Sequence, residues 1–165
     1  MTITRLLARP MLASIFVVGG INALRNTEGH AAKAKPVTDR IVPMAQRAVP
    51  AAPIPSDAAT LVRINAGAQI LAAAALATGR APRISAAVLA ASLVPTTLAG
   101  HRFWEETDPQ AKSMQRLQFA KNTSILGGLL LAGVDTEGKP GLAWRARRAA
   151  SDVRREAKLA KAQLT

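Results

Sequence analysis

Two long apolar runs, 58–78 and 82–100, stand on either side of a short turn and most narrowly limit what this chain can fold into. Each run has about the length, ~20 residues, that an α-helix needs to cross the hydrocarbon core of a bilayer. The connection GRAPR leaves room only for a reversal of direction, so the two runs predict a tight helical hairpin. Ser56 and Asp57 form an N-terminal capping signal for its first helix, and Gly79 ends that helix.

A further apolar segment near the N-terminus, 6–24, contains one charged residue, Arg9, and is flanked by Arg5 and Arg25. Its length favours a membrane span. A signal peptide is the alternative, because a basic start, an apolar middle and a small residue at Ala23 also fit one. The further apolar segments downstream favour a membrane span over a signal peptide.

A fourth apolar segment, 116–134, carries Ser124, Gly128 and Ala132 at four-residue spacing. Such a stripe of small residues permits close packing of helices in lipid. We therefore predict an all-α fold, a four-helix transmembrane bundle followed by a basic C-terminal surface helix. The membrane domain is expected to span 1–140.

Composition supports packed alanine-rich helices and excludes several kinds of active site. The chain is 49% hydrophobic but only 3% aromatic, so little of its apolar surface comes from large rings. It contains no cysteine, which excludes disulfides, thiol nucleophiles and thiolate metal ligands. Only two histidines are present, His30 and His101, and a histidine-held metal or haem is therefore not expected.

The segment 25–57 is rich in proline and charge. Because proline lacks a backbone donor and clashes with the preceding helical turn, we expect an extramembrane loop here, with at most a short interfacial helix at 37–49. Its prolines are Pro36, Pro43, Pro50, Pro53 and Pro55.

The C-terminal segment 135–165 carries eight lysines or arginines and four acidic residues, within a chain of net charge +12. From 141 to 165 small and apolar residues recur at helical spacing, and Trp144 stands near the start. We expect an amphipathic basic tail attracted to anionic lipid headgroups. Nucleic-acid binding is the alternative. We do not expect a nucleic-acid partner, because basic tails on membrane proteins usually indicate the side of the membrane on which they lie.

Four spans would place both termini on the same side of the membrane. The positive-inside rule then favours the cytoplasm for that side, because Arg5, Arg9, Arg80, Arg83 and the basic tail all lie there. The sequence thus predicts a multi-pass protein of the inner (plasma) membrane with both termini cytoplasmic.

This topology brings several polar residues together near the outer side, where spans one and three end and spans two and four begin. The predicted site residues are Arg63, Asn65, His101, Trp104, Glu105, Glu106, Lys121 and Asn122, with Asn22 and Arg25 beside them. No metal ligands are predicted among them.

Two interpretations of this polar rim stay open. In the first, Arg63 and Lys121 pair with Glu105 and Glu106, because an intramembrane cation needs an anion nearby. In the second, the rim is a shallow site for a quinone headgroup or a small anion, with His101 as the proton donor or acceptor and the candidate catalytic residue.

The stretches PTTLAGHRFWEE, FAKN and GGLLLAGVDTEGKP, with TGRAPR before span three, resemble the actinobacterial DoxX family of integral membrane proteins. The resemblance covers roughly residues 1–140. It implies a four-helix membrane protein similar to the membrane subunits of thiosulfate:quinone oxidoreductases. It further implies soluble redox enzymes as partners, such as superoxide dismutase and a sulfurtransferase, in defence against oxidative stress.

Three functions follow as hypotheses. The first is a membrane subunit or scaffold of a redox complex that recruits soluble oxidoreductases through the basic tail and is not catalytic alone. The second is the quinone-binding subunit of a sulfur-compound:quinone oxidoreductase, with quinone as the cofactor. The third, a small transporter or lipid-handling bundle, rests on Arg63 and Lys121. Membrane lipid is a partner in each, and a homo-oligomer stays open.

Overall fold

The structure, a computed structural model, describes residues 3–136, 138 and 142–163. Within these residues it contains helices and no strand, so the all-α prediction is confirmed. The helices are α1 Ile3–Arg25, α2 Thr27–Ala48, α3 Ala58–Ala77, α4 Pro82–Gly100, α5 Pro109–Val134 and α6 Leu142–Gln163.

The predicted hairpin is formed by α3 and α4. The Asp57 carboxylate accepts a hydrogen bond from the Thr60 N–H at 2.7 Å, which caps the start of α3. At the other end Gly79 adopts a left-handed φ of 71°, and the next N–H donates to the Ala75 carbonyl at 2.8 Å. This is the hydrogen-bonding pattern of a Schellman motif, which only glycine enters without strain. Pro82 then opens α4.

The first helix packs along α3 with small residues at its contact face. Ala13, Phe16 and Gly20 follow one another at spacings of three and four residues and are all buried. An ideal Cβ added at Gly20 would lie 2.7 Å from Ile70 Cγ1 of α3. The missing side chain therefore permits the close approach of these two helices.

The core lies between α1, α3, α4 and α5, and α4 packs against both α3 and α5. Alanines make up much of it, which brings the helices close together and fits the low aromatic content. Its buried members are Ala13, Phe16, Ala72, Ala73, Leu76, Ala86, Leu89, Leu93 and Leu129.

The prediction of a loop over 25–57 is wrong for most of its length, because α2 runs from Thr27 to Ala48. Pro36 and Pro43 lie inside this helix and are both exposed. Their seven-residue spacing places them on one face, so the carbonyls that lose their donors lie on the exposed side. The opposite face, including Ala31 and Val42, packs against α3 and α4. The predicted interfacial helix at 37–49 is the second half of α2.

Three helices in the described part of the chain, α1, α3 and α4, are long and apolar enough to cross a membrane. They carry large exposed apolar side chains such as Leu7, Leu71 and Ile84. The helix α5 covers the predicted fourth span but is not among the three, since polar residues such as Gln118, Lys121 and Asn122 lower its hydropathy. A membrane protein is thus supported, and the fourth crossing stays a prediction.

The C-terminal helix α6 belongs to a separate compact unit that starts after Val134. Its described side chains, at 144 and 146–156, are all exposed. An ion pair between Arg148 Nε and Asp152 Oδ2, at 3.5 Å, links successive turns. The segment thus contains a helix, and the predicted basic surface helix with its attraction to a membrane stays a prediction.

Candidate functional site

A cavity of about 520 Å³ lies among α1 to α5 and is the candidate functional site. It is bordered by the C-terminal halves of α1 and α4, the N-terminal half of α3 and the middle of α5, and α2 forms a long wall. Most of its surface is apolar, with Ile15, Phe16, Val42, Leu93 and Ile125 among the lining side chains. Volumes of this order are typical of pockets for small organic ligands.

A buried hydrogen-bond chain from α3 to α4 forms part of the polar lining. Gln69 Nε2 donates to Ser92 Oγ at 2.7 Å, and Ser92 Oγ donates to Asn65 Oδ1 at 2.7 Å. Gln69 and Ser92 are each only 7% exposed. Asn65 and Gln69 are four residues apart on one face of α3, and both line the cavity. This polar face of α3 is therefore turned towards α4 and the cavity.

His101 and Asn122 also line the cavity, as the topology predicted. His101 follows the last residue of α4, and its Nδ1 lies 2.8 Å from Oε1 of Gln115 on α5. Asn122 Nδ2 donates to Thr97 Oγ1 at 3.0 Å, which joins α5 to α4. Both side chains are therefore held in place by hydrogen bonds between the helices that surround the cavity.

The hydroxyl groups behind Pro95 have two different roles. Thr96 Oγ1 donates to the carbonyls of Ser92 and Leu93 of its own helix, at 2.9 and 3.0 Å. Thr97 bonds instead to α5. Thr96 thus satisfies carbonyls near the proline, whereas Thr97 joins α4 to α5.

Two polar residues of the site, His30 and Lys33, come from α2 and were missed by the sequence analysis. The proline content of 25–57 concealed the helix that carries them. The signal that could have found them is the recurrence of Thr27, Ala31, Ala34 and Thr38 at helical spacing, which marks the face of α2 that packs inward. Among the described lining residues Lys33 is the only lysine, arginine, aspartate or glutamate.

The remaining predicted site residues lie outside the described lining of the cavity. They are Arg63, Trp104, Glu105, Glu106 and Lys121.

The predicted ion pairs of these residues are wrong within the described part of the chain. Arg63 Nη2 lies 3.9 Å from Glu28 Oε1, and both side chains are largely exposed. Glu105 pairs with Arg102 of its own turn at 3.0 Å. Lys121 is exposed and Glu106 is half-buried. The transporter hypothesis loses its motivation, because neither cation on which it rested borders the cavity.

Trp104 belongs to an aromatic cluster instead. Its ring centroid lies 5.2 Å from that of Phe103 and 6.0 Å from that of Phe119, with edge-to-face geometry in both pairs. Trp104 is also 49% exposed. A half-exposed aromatic cluster at the end of a span is typical of the membrane interface.

Arg9 is a second residue whose position the sequence analysis missed. It was counted as a topological charge, but it is only 5% exposed. It precedes Ala13 and Phe16 on the buried face of α1. That spacing, four and then three residues, was the available signal.

The chemistry open to this site is binding through polar side chains, most of which are amides, hydroxyls and imidazoles. No cluster of three or more histidine, cysteine, aspartate or glutamate side chains that could hold a metal occurs among the described residues. The cavity instead offers two imidazoles and three amides on largely apolar walls. Such a lining suits a molecule with a small polar head and an apolar body.

A comparison with protein families matches the chain to the family described as DoxX over residues 4–102. The match runs from the start of α1 to just beyond the end of α4, and so includes the cavity-lining residues of those four helices. It ends before the FAKN and GGLLLAGVDTEGKP stretches that also suggested the resemblance. Comparisons with curated proteins and with solved structures give no significant match. Since the match covers more than half of its length, the chain belongs to the DoxX family.

Proposed function

We propose that this protein is a membrane subunit that binds a quinone in the cavity and serves a quinone-linked redox complex. The observation that carries the proposal is the convergence of both histidines and three amide side chains on one largely apolar cavity. A quinone combines the same two properties, since it has two polar oxygens on a flat ring and an apolar isoprenoid chain.

Different parts of the cavity lining suit different parts of a quinone. The amide N–H groups can donate to the ring oxygens, and the imidazoles of His30 and His101 can accept from the hydroxyl groups that the ring gains on reduction. The apolar walls, with Phe16 and Ile125, suit the ring faces and the start of the chain. Because the sequence contains no cysteine, any sulfur chemistry belongs to a partner protein. The quinone would then accept two electrons from that partner and two protons, one passed on by His101 and the other taken from water.

Direct binding tests the proposal. The full-length protein in lipid nanodiscs is titrated with a short-chain benzoquinone or naphthoquinone, and the lipids that copurify are extracted and analysed for quinones. We expect saturable binding of the quinone, and in a parallel titration with its quinol we expect binding that weakens by about fivefold in His101→Ala, the loss expected for one hydrogen bond. Arg102→Ala is the matched control, because its neighbouring side chain pairs with Glu105 and is not part of the lining.

Two results would contradict the proposal. The first is the absence of saturable binding by a folded protein together with the absence of any copurifying quinone. The second is equal binding of the quinol by His101→Ala and the original chain, which would remove the histidine from the site.

A second candidate function is recruitment of soluble redox enzymes, and the properties of α6 favour it. This helix is strongly basic, and its described side chains are all exposed, including Arg147, Arg148, Arg154 and Arg155. Superoxide dismutase and a sulfurtransferase are the partners proposed by family resemblance. With both termini in the cytoplasm of a plasma-membrane protein, α6 would meet such enzymes there.

Deletion of 141–165 tests this function by affinity capture from membranes. We expect loss of the two enzymes from the captured fraction, and the same loss when the four arginines are replaced by glutamate. A fourfold Arg→Lys variant keeps the charge and serves as the control. Unchanged recovery of the enzymes after the deletion would exclude the tail as their docking surface.

A further inference from the structure

The hydrogen bond of His30 fixes which of its ring nitrogens carries the proton. His30 Nδ1 lies 2.8 Å from the backbone oxygen of Asn26. A carbonyl oxygen only accepts, so Nδ1 must donate. In the neutral ring Nε2 then has no proton and is left as a hydrogen-bond acceptor.

His101, which directly follows α4, shows the same arrangement. Its Nδ1 lies 2.8 Å from the side-chain oxygen of Gln115, which also accepts. The neutral ring of His101 therefore has its proton on Nδ1 and leaves Nε2 as an acceptor. Two different helices, α2 and α4, thus supply the cavity with imidazoles in the same tautomer.

Several amide donors of the cavity are already engaged within the protein. Gln69 donates one N–H to Ser92, and Asn122 donates one to Thr97. Lys33 supplies the charged donor of the described lining, but its side chain is exposed. The amide N–H groups that stay free can donate to the oxygens of either redox form of a quinone, so only the two imidazole acceptors distinguish between the forms.

We propose that the cavity selects the reduced, dihydroxy form of its ligand, the quinol, over the oxidised quinone. A quinol has two O–H donors that the two Nε2 atoms can accept, whereas a quinone has only acceptor oxygens. This inference rests on the proposed function, because it concerns the redox form of the molecule bound in the same cavity. A site with this selectivity favours reduction of the bound quinone, and so fits a subunit that receives electrons from a partner.

Separate affinities for the two redox forms test the selectivity. The full-length protein in nanodiscs is titrated at neutral pH, under anaerobic conditions, with a short-chain benzoquinone and with its quinol. One hydrogen bond is worth about fivefold in affinity, so we expect the quinol to bind about 5- to 25-fold more tightly. His30→Leu and His101→Leu should each lower this ratio by about fivefold.

Lys35→Met is the matched control, because Lys35 lies near His30 on α2, pairs with Asp39 and is not part of the described lining. The preference for quinol should not fall in this variant. Equal binding of both forms, or tighter binding of the quinone, would overturn the selectivity while the quinone site stands. Binding of neither form would overturn the quinone site and the selectivity together.

A second measurement reads the tautomers directly and does not depend on a destabilising variant. The chain has only two histidines, so selective ¹⁵N labelling gives two imidazole spectra that one substitution assigns. We expect a protonated Nδ1 and an unprotonated Nε2 in both neutral rings. A proton on Nε2 of His30 and His101 would overturn the inference.

Discussion

Ser92 is predicted to be the residue on which the buried connection between α3 and α4 depends. Its hydroxyl accepts from Gln69 Nε2 and donates to Asn65 Oδ1, each at 2.7 Å. Replacement by alanine removes both hydrogen bonds and leaves an amide nitrogen of the 7% exposed Gln69 without this acceptor.

Two reference energies set the expected loss in the free energy of unfolding. An interhelical hydrogen bond in a membrane protein contributes about 0.6 kcal/mol on average, so two lost bonds give about 1.2 kcal/mol. A buried polar group left without a partner costs about 1–3 kcal/mol. We therefore expect Ser92→Ala to lower the free energy of unfolding by about 1–3 kcal/mol.

Reversible unfolding in mixed detergent and SDS micelles, followed by circular dichroism, measures this change. Ser124→Ala is the control, because Ser124 is exposed and its hydroxyl bonds to a carbonyl of its own helix. It should change stability by less than about 0.5 kcal/mol. The double variant Ser92→Ala with Gln69→Leu should lose less stability than the sum of the two single variants. The reason is that it no longer contains the Gln69 amide that Ser92→Ala leaves without its acceptor. A change below about 0.5 kcal/mol for Ser92→Ala, or strict additivity in the pair, would refute the reasoning.

Three further predictions concern packing, capping and topology. Gly20→Ala should destabilise the protein by about 1–3 kcal/mol in the same unfolding assay, because the new Cβ would lie 2.7 Å from a side-chain carbon of α3. Gly127→Ala, with nothing within 4 Å, should be neutral, and an equal loss in both would contradict this packing. The pKa of Asp57 is lowered by its hydrogen bonds to the first turn of α3. The ionised carboxylate therefore stabilises the fold at neutral pH, and this stabilisation is lost as the pH falls through the lowered pKa. Asp57→Asn should make the free energy of unfolding less dependent on acid pH, and an unchanged dependence would contradict this prediction. Single cysteines at Ile3 and Ser151 should both react with a membrane-impermeant thiol reagent only from the cytoplasmic side, whereas labelling from opposite sides would mean that α5 does not cross.

The hairpin could be predicted because its signals are local. Asp57 caps α3 through its own side chain, and Gly79 ends it through its own φ angle, so each signal acts within a few residues. The helix α2 could not be predicted in this way. Its prolines are tolerated because they lie on the exposed side, and only the packing of the other face against α3 and α4 shows this.

The candidate site could be predicted only in part. Helix direction alone brings Asn65, His101 and Asn122 to one cavity, because the order of the spans fixes which ends meet. Helix direction does not predict where the charged end of a long side chain lies. Arg63 extends towards Glu28 of α2, a neighbour that the sequence analysis had placed in a loop.

Blocking the cavity tests the central claim that it is a ligand site. Gly19 lines the cavity and has nothing within 4 Å of an added Cβ, so Gly19→Phe places a ring in open space without a clash at the backbone. Gly127→Phe is the matched control, since Gly127 is equally open and is not part of the described lining. The measurement is the dissociation constant of a short-chain quinone for the three proteins in nanodiscs. We predict binding weakened by about tenfold or more in Gly19→Phe and unchanged in Gly127→Phe. Unchanged binding by a folded Gly19→Phe protein would contradict the claim that the cavity holds the quinone.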